Sequence, residues 1–164
     1  MSTVKELVNL GDYFELIVQE DYTDYKSSIS LRKCVHLAQS LFHMADWAFS
    51  HERAALESLE GRRFESEKDI YPHLALGSSS FGLIRDIANA SKHVNLSGKP
   101  STNIKNVTDL KIETSAFGEG TFGTARYGGI NPIAFDGDRV VYLDEHMHEV
   151  FQYWLDFTNT ISAR

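Results

Sequence analysis

Apolar residues recur every three or four positions along the first hundred residues, which predicts amphipathic helices. The first helix covers residues 4–18, and the polar residues 22–28 are predicted to form a connection. Ser30 is a good N-cap residue, and it predicts the start of a second, long helix that ends where Gly61 stops it. Residues 66–76 predict a shorter third helix.

A serine-rich loop at residues 77–80 precedes a fourth predicted helix, which ends near Leu96. Beyond residue 100 the pattern becomes strand-like, with candidate strands at 107–114 and 121–127. The clearest hairpin covers residues 133–143 and turns at Asp136-Gly137-Asp138.

Asp144 is predicted to cap the last helix, which carries a continuous apolar stripe. The stripe consists of Met147, Val150, Phe151, Trp154, Phe157 and Ile161. We therefore predict an α+β fold in a single domain, residues 1–164. A helical bundle (1–97) and a small antiparallel β-meander (104–143) are followed by a closing helix (144–162) that packs back on the bundle.

The fourth helix carries the most informative polar pattern of the chain. Read at about 100° per residue, its polar side chains fall within an arc of about 120°, opposite an apolar face. This arc contains Arg85, Asp86, Asn89, Lys92 and His93. It combines a fixed cation, an amide, an ammonium and a titratable imidazole, and the small residues beside it would let another helix approach closely.

The second helix has a polar stripe of its own, with histidines on one line. Arg32, His36, Ser40, His43, Trp47 and Ser50 lie within about 40° of that line, and Asp46 lies at its edge. Either both stripes face water, or they face each other and form a site. In the second case the candidate catalytic residues are Arg85, Asn89 and His93, and the candidate binding residues are His36, His43, Asp46, Trp47 and Lys92.

Other candidate chemistry is weak. His36 and His43 are about 10 Å apart along a helix axis, too far to share an ion, so neither a metal site nor a cofactor is predicted. Residues 118–123 match the glycine-rich nucleotide pattern, but the other kinase motifs are missing downstream, and a glycine-rich hairpin is predicted there. Cys34 is the only cysteine, so an intrachain disulfide is excluded.

The net charge of −7 argues against general binding of nucleic acid or of an anionic membrane. The charge is uneven, because residues 82–111 hold five Lys or Arg and two Asp, which is compatible with a phosphate-bearing partner. Neither a secretory signal nor an apolar run long enough for a bilayer is visible. We therefore expect a cytoplasmic protein without membrane association.

Two segments, residues 43–47 and 86–93, resemble a set of small bacterial proteins without assigned activity. An arginine followed by a polar residue and later by a histidine also resembles the motif of the HEPN superfamily, helical bundles found in toxins and defence ribonucleases. Arg85 and Asp86 fit that motif. Seven residues separate Arg85 from His93, which is more than is usual in that family.

Three functional hypotheses follow from these patterns. The first is a non-enzymatic interaction module with a polar helix–helix site, which binds a partner protein, in a chain that we expect to form a homodimer. The alternative is a HEPN-like nuclease that acts on RNA and forms its site across a homodimer. The third is a metal-dependent helical bundle that uses His43 and His93.

Overall fold

The computed structural model describes residues 6–92, 100–115 and 129–163. Its α-helices are α1 (Leu10–Tyr13), α2 (Gln19–Ser27), α3 (Leu31–Glu60), α4 (Ile70–Gly77), α5 (Ser79–Lys92) and α6 (Leu143–Ser162). Its strands are β1 (Leu110–Ser115), β2 (Gly129–Asp136) and β3 (Arg139–Tyr142), which form one antiparallel sheet in the order β1-β2-β3. The predicted α+β class is confirmed, and α6 packs on the bundle.

Helix α3 is the longest element, and the sequence predicted it correctly. The hydroxyl of Ser30 accepts the backbone N–H of Lys33 at the first turn. Gly61 ends the helix with a φ of 62°, a left-handed conformation that glycine adopts without strain. The helix is kinked at Glu52, whose backbone is non-helical.

The first helix begins later than predicted, since residues 6–9 are not helical, and the helical segment then continues further than predicted. Helix α1 passes through a π-helical turn, Phe14–Val18, directly into α2. The predicted connection at residues 22–28 is therefore wrong for all but its end. The reason is tertiary: Tyr25 is fully buried, and the ring of Tyr22 stacks on Phe151 with centroids 3.8 Å apart.

The loop predicted at residues 77–80 is also wrong, since only Ser78 separates α4 from α5. Ser80 already belongs to α5, where it is buried and donates its hydroxyl to Glu149 of α6 at 2.6 Å. Contacts with α6 thus extend the helix into a stretch whose composition is typical of a loop. A 3-10 turn, Glu67–Asp69, precedes α4.

The sheet agrees with the prediction in part. A 3-10 turn, Val107–Asp109, replaces the first half of the predicted strand 107–114. The predicted hairpin is confirmed, with Phe135 opposite Val140 across β2 and β3. The predicted strand 121–127 and the glycine-rich residues 118–123 lie outside the described residues.

Helix α6 completes the core with the predicted apolar stripe, in which Trp154 is fully buried. The prediction that Asp144 caps this helix is wrong, because Tyr142 occupies the cap position. Asp144 lies in the first turn and pairs with Lys26 of α2 at 3.0 Å. No helix in the described part of the chain is both long and apolar enough to cross a membrane.

One buried carboxylate ties the bundle to the segment that leads to the sheet. Asp86 is 1% exposed, and it accepts both the backbone N–H and the hydroxyl of Thr102, at 2.6 and 2.9 Å. Arg85 bonds to the other oxygen of Asp86 and to the hydroxyl of Ser101. The segment approaches so closely that a Cβ atom on Gly82 would lie 2.7 Å from that of Ser101.

We predict that Asp86→Ala lowers the free energy of unfolding by about 3 kcal/mol or more, because it leaves buried donors and the Arg85 guanidinium unpaired. Urea denaturation followed by circular dichroism measures the loss. The control is Glu20→Ala, which removes an exposed carboxylate of α2 and should change stability by less than about 0.5 kcal/mol. Equal stability of the two variants would refute the anchoring role of Asp86.

Candidate functional site

The two predicted polar stripes meet where α3 packs against α5. Gln39 donates its amide to the hydroxyl of Ser91 at 2.8 Å, and Lys92 lies 3.2 Å from the imidazole of His43. The close approach is possible because small buried residues such as Ala45 lie between the helices. The two stripes thus come into contact through His43 and Lys92.

A cavity of about 310 Å³ lies beside this contact, between α3, the turn before α4, and α5. We call it the polar cavity. Its volume is at the lower end of the range for small-molecule sites, which runs from about 300 to 1,000 Å³. The residues that line it are Phe42, Ala45, Asp46, Glu67, Lys68, Tyr71, Pro72, Arg85 and Asn89. Three of the predicted site residues, Asp46, Arg85 and Asn89, thus share one cavity.

His43 orients Asp46 at the edge of the polar cavity. Its Nδ1 atom lies 2.8 Å from Oδ2 of Asp46, and its Nε2 atom lies 3.2 Å from Nζ of Lys92. An ammonium can only donate, so Nε2 accepts from Lys92, and Nδ1 is the ring nitrogen that donates to Asp46. The lone pair that a general base would use is therefore occupied by Lys92.

Arg85 is held in a similar way. Its Nε and Nη2 atoms donate to Oδ1 of Asp86 at 3.1 and 3.0 Å, and Nη2 also donates to Ser101 at 2.7 Å. Two of its nitrogens are thus engaged by the protein, and the guanidinium is fixed in orientation where it borders the polar cavity. Asp86, which the periodicity assigns to the same polar arc, is buried and has an anchoring role instead.

Other polar groups of the polar cavity are open. The half-buried amide of Asn89 makes no hydrogen bond to any other described residue, and the same holds for the side chains of Glu67 and Lys68. An amide carries both donors and an acceptor. The cavity therefore presents donors and acceptors that the described part of the protein leaves unused.

Tyr71 forms an apolar wall rather than an acid–base group. Burial raises its pKa above the usual range, and its hydroxyl donates to the carbonyl oxygen of Leu41 at 2.6 Å. Tyr71 is the only described lining residue that carries a hydroxyl group, and none of these residues carries a thiol. The described walls of the polar cavity thus contain no activated nucleophile of the serine or cysteine type.

The other predicted residues have different positions. The ring of Trp47 stacks on those of Tyr13 and His51, with centroids 4.8 and 5.1 Å apart. His36 lies on α3 and does not line the polar cavity. His93 lies outside the described residues.

The sequence pattern did not predict several of the residues that line the polar cavity. Phe42 could have been found, since it precedes Asp46 by four positions on the same helix face. Glu67 and Lys68 lie in a short turn without periodicity, so nothing in the sequence pattern associates them with α3 and α5. The described residues also contain no group of three or more His, Cys, Asp or Glu that could hold a metal ion.

We predict that Asn89→Ala changes the free energy of unfolding by less than about 0.5 kcal/mol, because the amide has no described partner within the protein. Urea denaturation beside the wild type measures the difference. A loss above about 1.5 kcal/mol would mean that Asn89 belongs to a structural network and not to an open site.

Comparison with known proteins identifies no relative of this chain. No protein-family model matches it, and neither does a curated protein or a solved structure. The resemblances to small bacterial proteins and to the HEPN superfamily therefore rest only on the motif residues, and they stay predictions.

Proposed function

We propose that this chain is a non-enzymatic interaction module, which binds a partner protein by accepting one of its polar side chains in the polar cavity. The observation that carries the proposal is the set of unused hydrogen-bonding groups around the polar cavity, above all the amide of Asn89. Polar groups that no protein partner occupies are available to a ligand, and a ligand that supplies complementary donors and acceptors binds specifically.

The size and charge of the polar cavity support a single uncharged polar side chain as the occupant. About 310 Å³ is too small for a helix of the partner. Asp46 and Glu67 balance Lys68 and Arg85, so the described walls favour neither a cation nor an anion. A carboxamide, as in glutamine or asparagine, donates and accepts at once and suits such a mixture.

The hydrogen bonds of His43 and Tyr71 support binding rather than catalysis. His43 has its free lone pair engaged by Lys92, and Tyr71 donates to the backbone. The hydrogen bonds of Tyr71 to Leu41 and of His43 to Asp46 hold two wall side chains in place, which reduces the entropy cost of binding. The proposed setting is the cytoplasm, in keeping with a single, buried cysteine, Cys34.

A library of random displayed peptides, selected on the wild-type protein, tests the proposal. We expect enriched peptides to share an amide-bearing residue and to bind Asn89→Ala about tenfold more weakly or worse. The matched control is Asn159→Ala, an exposed amide on α6, which should leave affinity within about twofold. The proposal would be contradicted by peptides that bind the Asn89→Ala and Asn159→Ala variants equally well, or by a library without enriched peptides.

A second candidate function is a HEPN-like nuclease that acts on RNA as a homodimer. The observation in its favour is the cation of Lys92 beside His43 at the end of α5, directly before His93 in the chain. In this function Arg85 and Lys92 would hold the scissile phosphate, Asn89 would orient it, and His93 would transfer the proton.

Cleavage of RNA by the purified protein distinguishes the two functions. The nuclease hypothesis expects cleavage that is lost in His93→Ala and kept in His148→Ala, whose imidazole is bonded to Tyr22 far from α5 in sequence. The interaction-module hypothesis expects no cleavage of RNA by the wild-type protein or by either variant. An intact homodimer that cleaves no RNA would refute the nuclease.

A further inference from the structure

A second cavity, of about 510 Å³, lies on another side of the bundle. It is enclosed by the end of α3, by α4, by the beginning of α5 and by α6. We call it the acidic pocket. The side chains that define its chemistry are Glu60, His73, Ser78, Phe81, Glu149 and Tyr153. None of the residues that line the polar cavity belongs to it.

Two carboxylates are held in fixed positions in the acidic pocket. Glu60 accepts the hydroxyl of Tyr153 at 2.7 Å on one oxygen, and its other oxygen lies 2.9 Å from Nε2 of His73. Glu149 accepts the hydroxyl groups of Ser78 and Ser80, one on each oxygen. A carboxylate oxygen has two lone pairs, so each group retains acceptor capacity for a ligand.

The negative charge of the acidic pocket is not balanced by Lys or Arg. Glu60 pairs with His73, whose imidazole is a cation only when it is protonated. Neither Glu60 nor Glu149 pairs with a Lys or Arg among the described residues, and no Lys or Arg is found among the described walls. Burial raises the pKa of Glu149, but the hydrogen bonds from Ser78 and Ser80, together with the nearby His146, outweigh burial and hold the pKa below its usual range. The carboxylate is thus ionised at neutral pH.

The remaining walls are apolar and aromatic. The rings of Phe81 and Tyr153 meet edge to face, with centroids 5.1 Å apart and planes at 86°. Leu74 lies beside them, and Leu76 is 85% exposed at the rim. Aromatic faces attract cations, and an exposed leucine at a cavity mouth offers contact area to an apolar ligand.

We propose that the acidic pocket binds a small organic amine, with its ammonium group at Glu60 and Glu149 and its apolar stem against Phe81 and Tyr153. The volume is within the range for small-molecule sites, about 300 to 1,000 Å³. A bare metal ion suits the pocket less well, since the described residues offer no group of three or more metal-binding side chains. This inference is independent of the function proposed for the polar cavity.

The first test compares two ligands of nearly identical shape on the wild-type protein. Phenethylamine carries the ammonium group, and phenethyl alcohol replaces it with an uncharged hydroxyl. Titration of ¹⁵N-labelled protein, followed by NMR, should show shifts at residues around Phe81 and Tyr153, with phenethylamine binding about tenfold more tightly or better. Equal affinities, or no shift with phenethylamine, would overturn the proposal.

The second test removes one charge at nearly constant shape. Glu149→Gln should weaken the binding of phenethylamine by about tenfold and leave the affinity for phenethyl alcohol unchanged. The matched control, Glu20→Gln, removes an exposed glutamate of α2 that does not line the pocket. Its affinity for phenethylamine should stay within about twofold of the wild-type value. Circular dichroism verifies that each variant folds.

Equal weakening by Glu149→Gln and Glu20→Gln would mean that the general charge of the protein attracts the amine, which refutes a specific site. If Glu149→Gln does not fold, the comparison of the two ligands on the wild-type protein decides by itself.

Discussion

The buried carboxylate of Asp86 is the contact on which the arrangement of this protein depends. A charge that is 1% exposed is costly unless its oxygens are fully bonded, and here they accept bonds from Arg85 and Thr102. These bonds hold the segment at residues 100–104 against α5, and this segment leads to β1. The same carboxylate fixes the guanidinium that borders the polar cavity, so one anchor serves both the fold and the candidate site.

Several other polar groups that face a cavity are likewise held by a neighbouring side chain. His43 holds Asp46, while Ser78 and Ser80 hold Glu149. Such support is what a rigid binding site requires, since the groups lose little entropy when a ligand arrives. The cavities differ in the charged residues that line them. The polar cavity is lined by two carboxylates and two cations, whereas the acidic pocket has two carboxylates without a Lys or Arg among its described walls.

Local patterns predict the elements with strong periodicity or clear end signals. Helix α3 has a serine cap, thirty residues of apolar periodicity and a glycine stop, and all three agree with the structure. The polar composition of residues 22–28 predicts a connection, whereas two inward-facing tyrosines decide their conformation. Ser79 and Ser80 likewise have the composition of a loop. Both are helical in the structure, where Ser80 bonds to His146 and Glu149 of α6.

The sequence by itself determined the α+β class, the long helix with its polar stripe, the hairpin and the apolar stripe of α6, because periodicity and turn chemistry are local properties. It also identified Asp46, Arg85 and Asn89 as candidates of one site. Only the tertiary structure decided that Asp86 is an anchor, that Lys92 occupies the lone pair of His43, and that Glu67 and Lys68 complete the polar cavity. Those outcomes depend on which faces pack together, and packing joins residues that are distant in the chain and share no local pattern.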